Sequence, residues 1–420
     1  MSSTASGGPA ATVVVTGSGV VSPIGVGVGA FAEALFAGRS AVRAHAVELP
    51  GLDVPLVPLA AAEFDAASVA APSRLPLDRA TAMALVAADE AARGAGLADG
   101  SVDGERLGVF WGSGMAGAST FETTCRTVYA DRRRMRPTSV VTTMPNAPTA
   151  ELALRFGVRG AALAYACACA SSAVAIGEAM RAIRAGWIDV AVVGGSESLL
   201  TPGVVASWQA MRVLAPLAAG VSAQAAARAC RPFAVDRAGF ALGEAAAAFV
   251  IESSAHARAR GATPIWQLAG YATNCDGIHI TNPDAAGQAR AMRAALADAG
   301  LDAASIGHLN AHGTATLAGD AAEAASITAV FGGHGVPVSS TKAIHGHLLG
   351  AGGAVELLAA ACAITAERVP PTANTAAIDS AFELDLVTGV ARSAPGLRHA
   401  MSSSFAFGGT NAVLIASRSD

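Results

Sequence analysis

Lysine is almost missing from this chain: of 28 basic residues, 27 are arginine and one is lysine, Lys342. A sequence that replaces lysine this consistently keeps it where guanidinium, being planar, broader and always charged, cannot stand in for ammonium. Lys342 is therefore a candidate site residue. Charge as a whole is scarce, at 14% of residues against 52% hydrophobic. Such a chain of 420 residues has to bury much of its surface in a large core, a subunit interface or both. Long apolar runs are missing too. No stretch reads as the roughly 18 uncharged apolar residues of a spanning helix, and the late segment 350–365 carries Glu356 in its middle. Residues 1–11 lack the basic and apolar regions of a secretory signal. The six cysteines are scattered at 125, 167, 169, 230, 275 and 362, which is no disulfide framework. A reduced, cytoplasmic protein without a membrane partner is expected. A net charge of −4 gives no electrostatic footprint for nucleic acid.

What is present is alternation of strands and helices. Strands are predicted at 12–16, 107–111, 161–166, 189–194, 246–252, 307–311, 336–340 and 411–416, and helices at 30–37, 79–94, 171–185, 287–300, 320–331 and 350–367. This rhythm predicts α/β layers on a mostly parallel sheet. The unbroken apolarity of the strands fits sheets covered on both faces. No Pro/Ser linker divides the chain. The seam is placed at the polar, arginine-bearing stretch 253–262, giving halves of 12–254 and 255–418.

Four segments carry chemistry. In Tyr165-Ala-Cys-Ala-Cys-Ala-Ser-Ser172 a strand ends and a helical spacing begins, at Ala173, Ile176, Met180 and Ile183. Cys169 thus stands at a helix N-terminus, where the dipole and unpaired N–H groups favour a thiolate and could hold an oxyanion. Cys167 reads as a buried strand-end residue. Cys-x-Cys has no matching second pair, so no metal site is expected. In Asn310-Ala-His-Gly-Thr-Ala-Thr316, His312 sits between small residues at a strand end, and Thr314 and Thr316 offer hydroxyls to an amide-bearing ligand arm. The third segment, 339–347, holds Lys342, His345 and His347 ahead of another helix, whose N-terminus favours a neutral, donating imidazole. Lys342 there could anchor Glu356 or a histidine. Lastly, Ser404-Phe-Ala-Phe-Gly-Gly-Thr-Asn411 suggests an aromatic flap on paired glycines, or else a plain hydrophobic turn between strands.

Taken in order, these segments resemble the elongating β-ketoacyl-[acyl carrier protein] synthases over residues 12–416. The match also runs through the glycine-rich start from Val13 to Gly25, Met144-Pro-Asn146, Arg231-Pro-Phe233 with Asp236-Arg237, and Gly243-Glu244. The resemblance implies a thiolase-like fold, two similar halves in a five-layer α-β-α-β-α arrangement, forming a dimer. It implies that Cys169 accepts an acyl chain from acyl carrier protein. His312 and His347 would drive decarboxylation of the malonyl extender and stabilise the enolate. Lys342 would organise the site with Glu356, and the backbone N–H groups of Cys169 and Phe407 would form an oxyanion hole. Thr314 and Thr316 would bind the pantetheine arm, and Phe405 and Phe407 would belong to the gate of the acyl pocket. No cofactor is bound by the chain itself, since substrates arrive on the carrier's phosphopantetheine.

Several positions depart from the family pattern. Ala406 replaces a glycine and should stiffen the flap. Cys167 replaces a threonine, and Ala245 a glycine. Met115 and Trp208 fall where the family bounds its acyl pocket, and their size implies a short or reshaped one. Arg132, Arg133, Arg134 and Arg136 fall where the family meets its acidic carrier protein. A non-catalytic chain-length-factor subunit is one rival reading, but it would lack the nucleophilic cysteine. A thiolase is the other, but it would carry a second cysteine near the C-terminus, and none lies in 402–411. Homodimer and heterodimer both stay open, as do fatty-acid and polyketide assembly.

Overall fold

The computed structural model describes residues 11–49, 55–97 and 102–419. The segment read above as lacking a signal sequence lies, but for Ala11, outside the described residues. The strands that build the layers are β1 (Val13–Ser22), β2 (Leu107–Gly112), β3 (Ala162–Tyr165), β4 (Val190–Glu197), β5 (Ala245–Ser253), β6 (Trp266–Cys275), β7 (His308–Asn310), β8 (Pro337–Ser339), β9 (Asp385–Leu386), β10 (His399–Phe405) and β11 (Thr410–Ser417). The helices are α1 (Val28–Ala37), α2 (Arg79–Gly94), α3 (Ala118–Tyr129), α4 (Ala147–Phe156), α5 (Ser171–Arg184), α6 (Pro202–Ala210), α7 (Ala285–Ala299), α8 (Leu317–Phe331) and α9 (Gly352–Ala366).

The strands form one continuous path, β9-β8-β7-β10-β11-β6-β1-β5-β4-β2-β3. It is not mostly parallel. From β1 outward, β1–β5 and β5–β4 are antiparallel while β4–β2 and β2–β3 are parallel. From β6 outward the pattern repeats: β6–β11 and β11–β10 are antiparallel, β10–β7 and β7–β8 parallel. The antiparallel centre follows from connectivity. β10 turns into β11 within residues 406–409, and a hairpin that tight can only join antiparallel neighbours. The shared order makes the two sheets copies of one plan, joined where β1 meets β6 in three residue pairs. The polar seam forms a short helix, Ser254–Ala259, capped by the Ser253 hydroxyl, which accepts from the His256 N–H at 3.2 Å.

Between the two sheets lie α5 and α9, buried with residues from both halves in the largest core cluster. Helices α2 and α4 cover the outer face of one sheet, and α7 and α8 that of the other. Five layers result, α-β-α-β-α. Sandwiching explains the apolarity of α9. With the preceding turn it makes 18 residues of mean hydropathy 1.7, long and apolar enough to cross a membrane despite the charge at Glu356; yet 89% of that span is buried inside the protein. Close approach of α5 and α9 depends on Gly353, where an added Cβ would stand 2.7 Å from the Cβ of Ala173. The N-termini of these two helices therefore meet at one place, and each bears a site residue just ahead of it.

Candidate active site

Strand β3 delivers the chain into a tight turn, Ala168–Ala170, with Ala168 in the left-handed region at φ 47°. Ser171 locks this turn, its hydroxyl donating to the Ala168 carbonyl at 2.7 Å and accepting from the Cys167 N–H at 2.9 Å. Cys169 follows, 7% exposed, at the head of α5. On the other side, β8 leads through Lys342–His345 to His347, just before α9. His345 is spent on structure: its ring nitrogens bond the Gly346 carbonyl at 2.8 Å and the Thr341 hydroxyl at 2.9 Å. His347 reaches Cys169, with Nε2 3.1 Å from its Sγ. The Leu349 N–H donates to its Nδ1 at 3.4 Å, which assigns the ring proton to Nε2, facing the sulfur.

His312 enters from the β7 side, its ring centroid 5.3 Å from that of His347. Two buried acids on α8 hold its turn. Glu323 accepts the N–H groups of His312 and Gly313 at 2.7 and 2.6 Å, and Asp320 accepts those of Ala315 and Phe233 at 3.0 and 2.6 Å. Lys342 is fully buried, and its Nζ donates to the Glu356 carboxylate from α9. The structure thus brings Cys169, His312 and His347 together around one cavity, with the Lys342–Glu356 pair close enough to bias its electrostatics.

Burial governs protonation here. It pushes both His312 and His347 well below the ordinary imidazole range, and Lys342 adds to the shift, so both rings are neutral donors at pH 7. Burial also pushes Glu356 up to about 7, against the pull of Lys342. For Cys169 the sequence reading is reversed. Desolvation lifts the thiol to about 12, outweighing Lys342 and the hydrogen bond from the Phe407 N–H. The site therefore holds a thiol whose ionisation is assisted but incomplete. At pH 8 the thiolate fraction is about 10⁻⁴, so alkylation of Cys169 by iodoacetamide should rise about tenfold per pH unit up to pH 9. A rate already flat near pH 7 would contradict this.

The segment 405–411 lines the cavity. Phe407 stacks on Trp208 (centroids 6.1 Å apart, 24° between planes), and Phe405 meets His312 edge-on at 6.2 Å. Its left-handed residues are Gly408 (φ 88°) and Gly409 (φ 80°), while Ala406, whose N–H donates to the Thr410 carbonyl at 2.8 Å, needs no glycine in this conformation. Thr314 and Thr316 line the same cavity with hydroxyls 2.9 Å apart. Met115 does not line it. Its side chain is 51% exposed, and its N–H is tied to the Glu197 carboxylate at 3.1 Å, which fixes the loop with the side chain outside. Arg132, Arg133, Arg134 and Arg136 are exposed on the loop after α3 and make no ion pair among the described residues.

Sequence reasoning missed four supporting residues. Asp320 and Glu323 are acids one turn apart in an otherwise uncharged helix, a signal of buried carboxylates shortly after His-Gly-Thr. Phe240, edge-on to His347 at 5.0 Å, and Glu197, accepting N–H groups of Gly114 (2.6 Å), Met115 (3.1 Å) and Gly350 (3.2 Å), gave no pattern by themselves.

Comparison with known proteins agrees with this geometry. Residues 10–257 match the N-terminal domain of beta-ketoacyl synthase and residues 266–376 its C-terminal domain, so the chain belongs to the β-ketoacyl synthase family, condensing enzymes of the acyltransferase type. It is 41% identical over 341 residues to Nodulation protein E of Rhizobium meliloti (strain 1021), spanning 80% of this chain and 82% of that one. It is 38% identical to 3-oxoacyl-[acyl-carrier-protein] synthase 2 of Staphylococcus aureus (strain COL), spanning 81% of each. Among solved structures, the ishigamide ketosynthase/chain length factor superposes with TM-score 0.87 at 31% identity, over 98% of this chain and 100% of that one. A ketosynthase from a type II polyketide complex with its acyl-carrier protein superposes with TM-score 0.86 at 27% identity, over 97% and 100%. The thiolase-like fold is thereby established.

Proposed function

We propose that Cys169 accepts an acyl group from acyl carrier protein and that His312 and His347 then direct decarboxylative Claisen condensation with a malonyl-carrier extender. The observation that carries this is a cysteine at a helix N-terminus with a proton-bearing imidazole 3.1 Å from its sulfur and a second imidazole beside that one. In the first step the Cys169 sulfur attacks the thioester and the carrier's thiol leaves with the proton. In the second, the malonyl carboxylate departs as CO₂, and the developing enolate oxygen takes hydrogen bonds from the two neutral imidazoles. The enolate carbon then attacks the acyl carbonyl, whose oxyanion is served by the N–H groups of Cys169 and Phe407, and the Cys169 thiolate leaves. Lys342, held by Glu356, supplies positive potential without entering the reaction. Thr314 and Thr316 face the pantetheine amides at the cavity mouth.

Cavity size favours a short or reshaped acyl chain. About 270 Å³ is shared between the nucleophile end and the mouth at Asn282 and Thr316, and Trp208, bracketed by Phe407 and Phe240 (6.1 and 5.8 Å), closes one wall. Replacing Trp208 by alanine should raise condensation on long primers roughly tenfold relative to short ones. A wild-type preference for long saturated primers would refute the short pocket.

Strand β3 ends the sheet with Ala162, Leu163 and Ala164 exposed, and Phe121, Val140 and Met144 are exposed large hydrophobics from the helices and turns that follow β2. An unpaired strand edge of this kind invites a partner strand, supporting a dimer with a second copy or with a related subunit, as in the ketosynthase/chain length factor neighbour. Native mass measurement of the chain alone and co-expressed with such a subunit separates these. The arginine loop at 132–136 is proposed to dock the acidic carrier. Reversing two of its charges should raise KM for the carrier roughly tenfold at low salt with kcat preserved; unchanged kinetics would rule the loop out. Secondary-metabolite assembly in the cytoplasm, without a cofactor of the chain's own, is the pathway reading favoured by the altered pocket and the arginine bias. Condensation rates over a primer panel, read as 3-oxoacyl product and CO₂, test the whole assignment.

A further inference from the structure

The three groups that meet at the cavity floor are also three ligands that soft metal ions prefer. A cysteine sulfur and one ring nitrogen each from His312 and His347 lie within 4.8 Å of one another. One thiolate and two neutral imidazoles, with a fourth direction open to a cavity, is a donor set of zinc sites. Both imidazoles are already neutral through burial, so metal binding releases one net proton, that of Cys169, to solvent through the cavity, while the His347 ring proton shifts from Nε2 to Nδ1 and gives up the 3.4 Å contact from the Leu349 N–H. His312 adds an independent sign: its Nδ1 is buried and has no hydrogen-bond partner. No hydrogen bond at Nδ1 therefore opposes rotation of that ring toward a metal ion, whereas its backbone is fixed by Glu323.

We propose that a soft divalent cation of the zinc class binds Cys169, His312 and His347 and switches condensation off by occupying the nucleophile and both donors at once. Bond lengths of about 2.0–2.3 Å put the ligands of a tetrahedral site about 3.4 Å apart. His347 Nε2 and Cys169 Sγ already stand 3.1 Å apart, so the remaining adjustment, about an ångström, falls on the His312 ring. Lys342 opposes the added charge, and the buried acids Glu197 and Glu356, raised to about 6 and about 7, offset part of it. Hard cations such as magnesium are excluded, because none of the three ligands is an oxygen and the nearest carboxylates are engaged by Lys342 and by backbone N–H groups. An acyl group on Cys169 removes the thiolate ligand, so the loaded enzyme is protected.

Cobalt(II) serves as the optical probe and zinc(II) as the inhibitor, on the full-length, reduced, chelator-treated protein. One equivalent of cobalt should produce a near-ultraviolet thiolate-to-metal band with the visible bands of a four-coordinate site. Cys169→Ser should abolish the near-ultraviolet band, Cys167→Ala should keep it, and His312→Ala should weaken cobalt binding roughly tenfold or more. Zinc should displace cobalt and inhibit condensation at one equivalent per chain, with recovery on chelation, and prior acylation should prevent both. A cobalt spectrum unchanged by Cys169→Ser, or one that survives acylation, overturns the proposal. The spectrum needs no turnover, so failure of the condensing assignment leaves this result readable, and the reverse.

Discussion

Replacing His312 with alanine should leave acyl transfer to Cys169 close to the native rate while lowering condensation about 10³-fold. The asymmetry follows from reach. His347 Nε2 touches the sulfur at 3.1 Å, whereas His312 faces the cavity beside it, ring centroids 5.3 Å apart, where the extender's carbonyl would lie. Removing a donor to a developing enolate costs only the step in which that charge develops. His347→Ala should impair both half-reactions, because the same Nε2–H serves the thiolate and the enolate. Acyl labelling of the protein and CO₂ release from malonyl thioester read the two steps separately. Equal loss of both in His312→Ala would contradict the division of roles.

The second large effect concerns Lys342. Replacing it with methionine leaves Glu356 buried without its counter-ion, a change that costs about 3–5 kcal/mol in buried pairs. The cost should depend on pH in a definite direction. Burial already holds Glu356 at about 7, above the value of roughly 4.3 for a free glutamate, and loss of Lys342 raises it further. A raised acid destabilises the fold as it ionises. The variant should therefore be nearest to native stability at pH 5 and weaken as pH rises through 7. Lys342→Met combined with Glu356→Leu should recover stability by restoring an apolar contact between the 342–345 turn and α9, yet stay inactive for want of positive potential. Denaturant unfolding and condensation assays on the single and double variants separate these effects. Full activity in the double variant would show that the pair is only structural.

Much of this site was legible because its residues sit at ends of elements, where sequence punctuation is strong. Cys169 before α5 and His347 before α9 could be placed from helical spacing that begins just after them, and Lys342 stood out by being alone. The strand plan was less legible. β6 and β10 were missed because Gln267, Asn274 and the serines at 402–404 break their apolarity, although sheet pairing and burial hold them extended. Helix α3 was missed because its threonines are poor helix formers. The antiparallel centre could not be read, since pairing direction depends on which strands become neighbours. Cys169 shows the sharpest divergence. Helix position argued for a thiolate, but burial, set by Phe407 and Trp208 arriving from distant parts of the chain, overrides it.

The most direct test is to incubate the protein with an acyl-carrier thioester, quench in acid, digest, and weigh the peptide that bears both Cys167 and Cys169. Fragmentation should place one acyl group on Cys169, lost in Cys169→Ser and retained in Cys167→Ala. An acyl group on Cys167, or acylation that persists without Cys169, would contradict the central assignment.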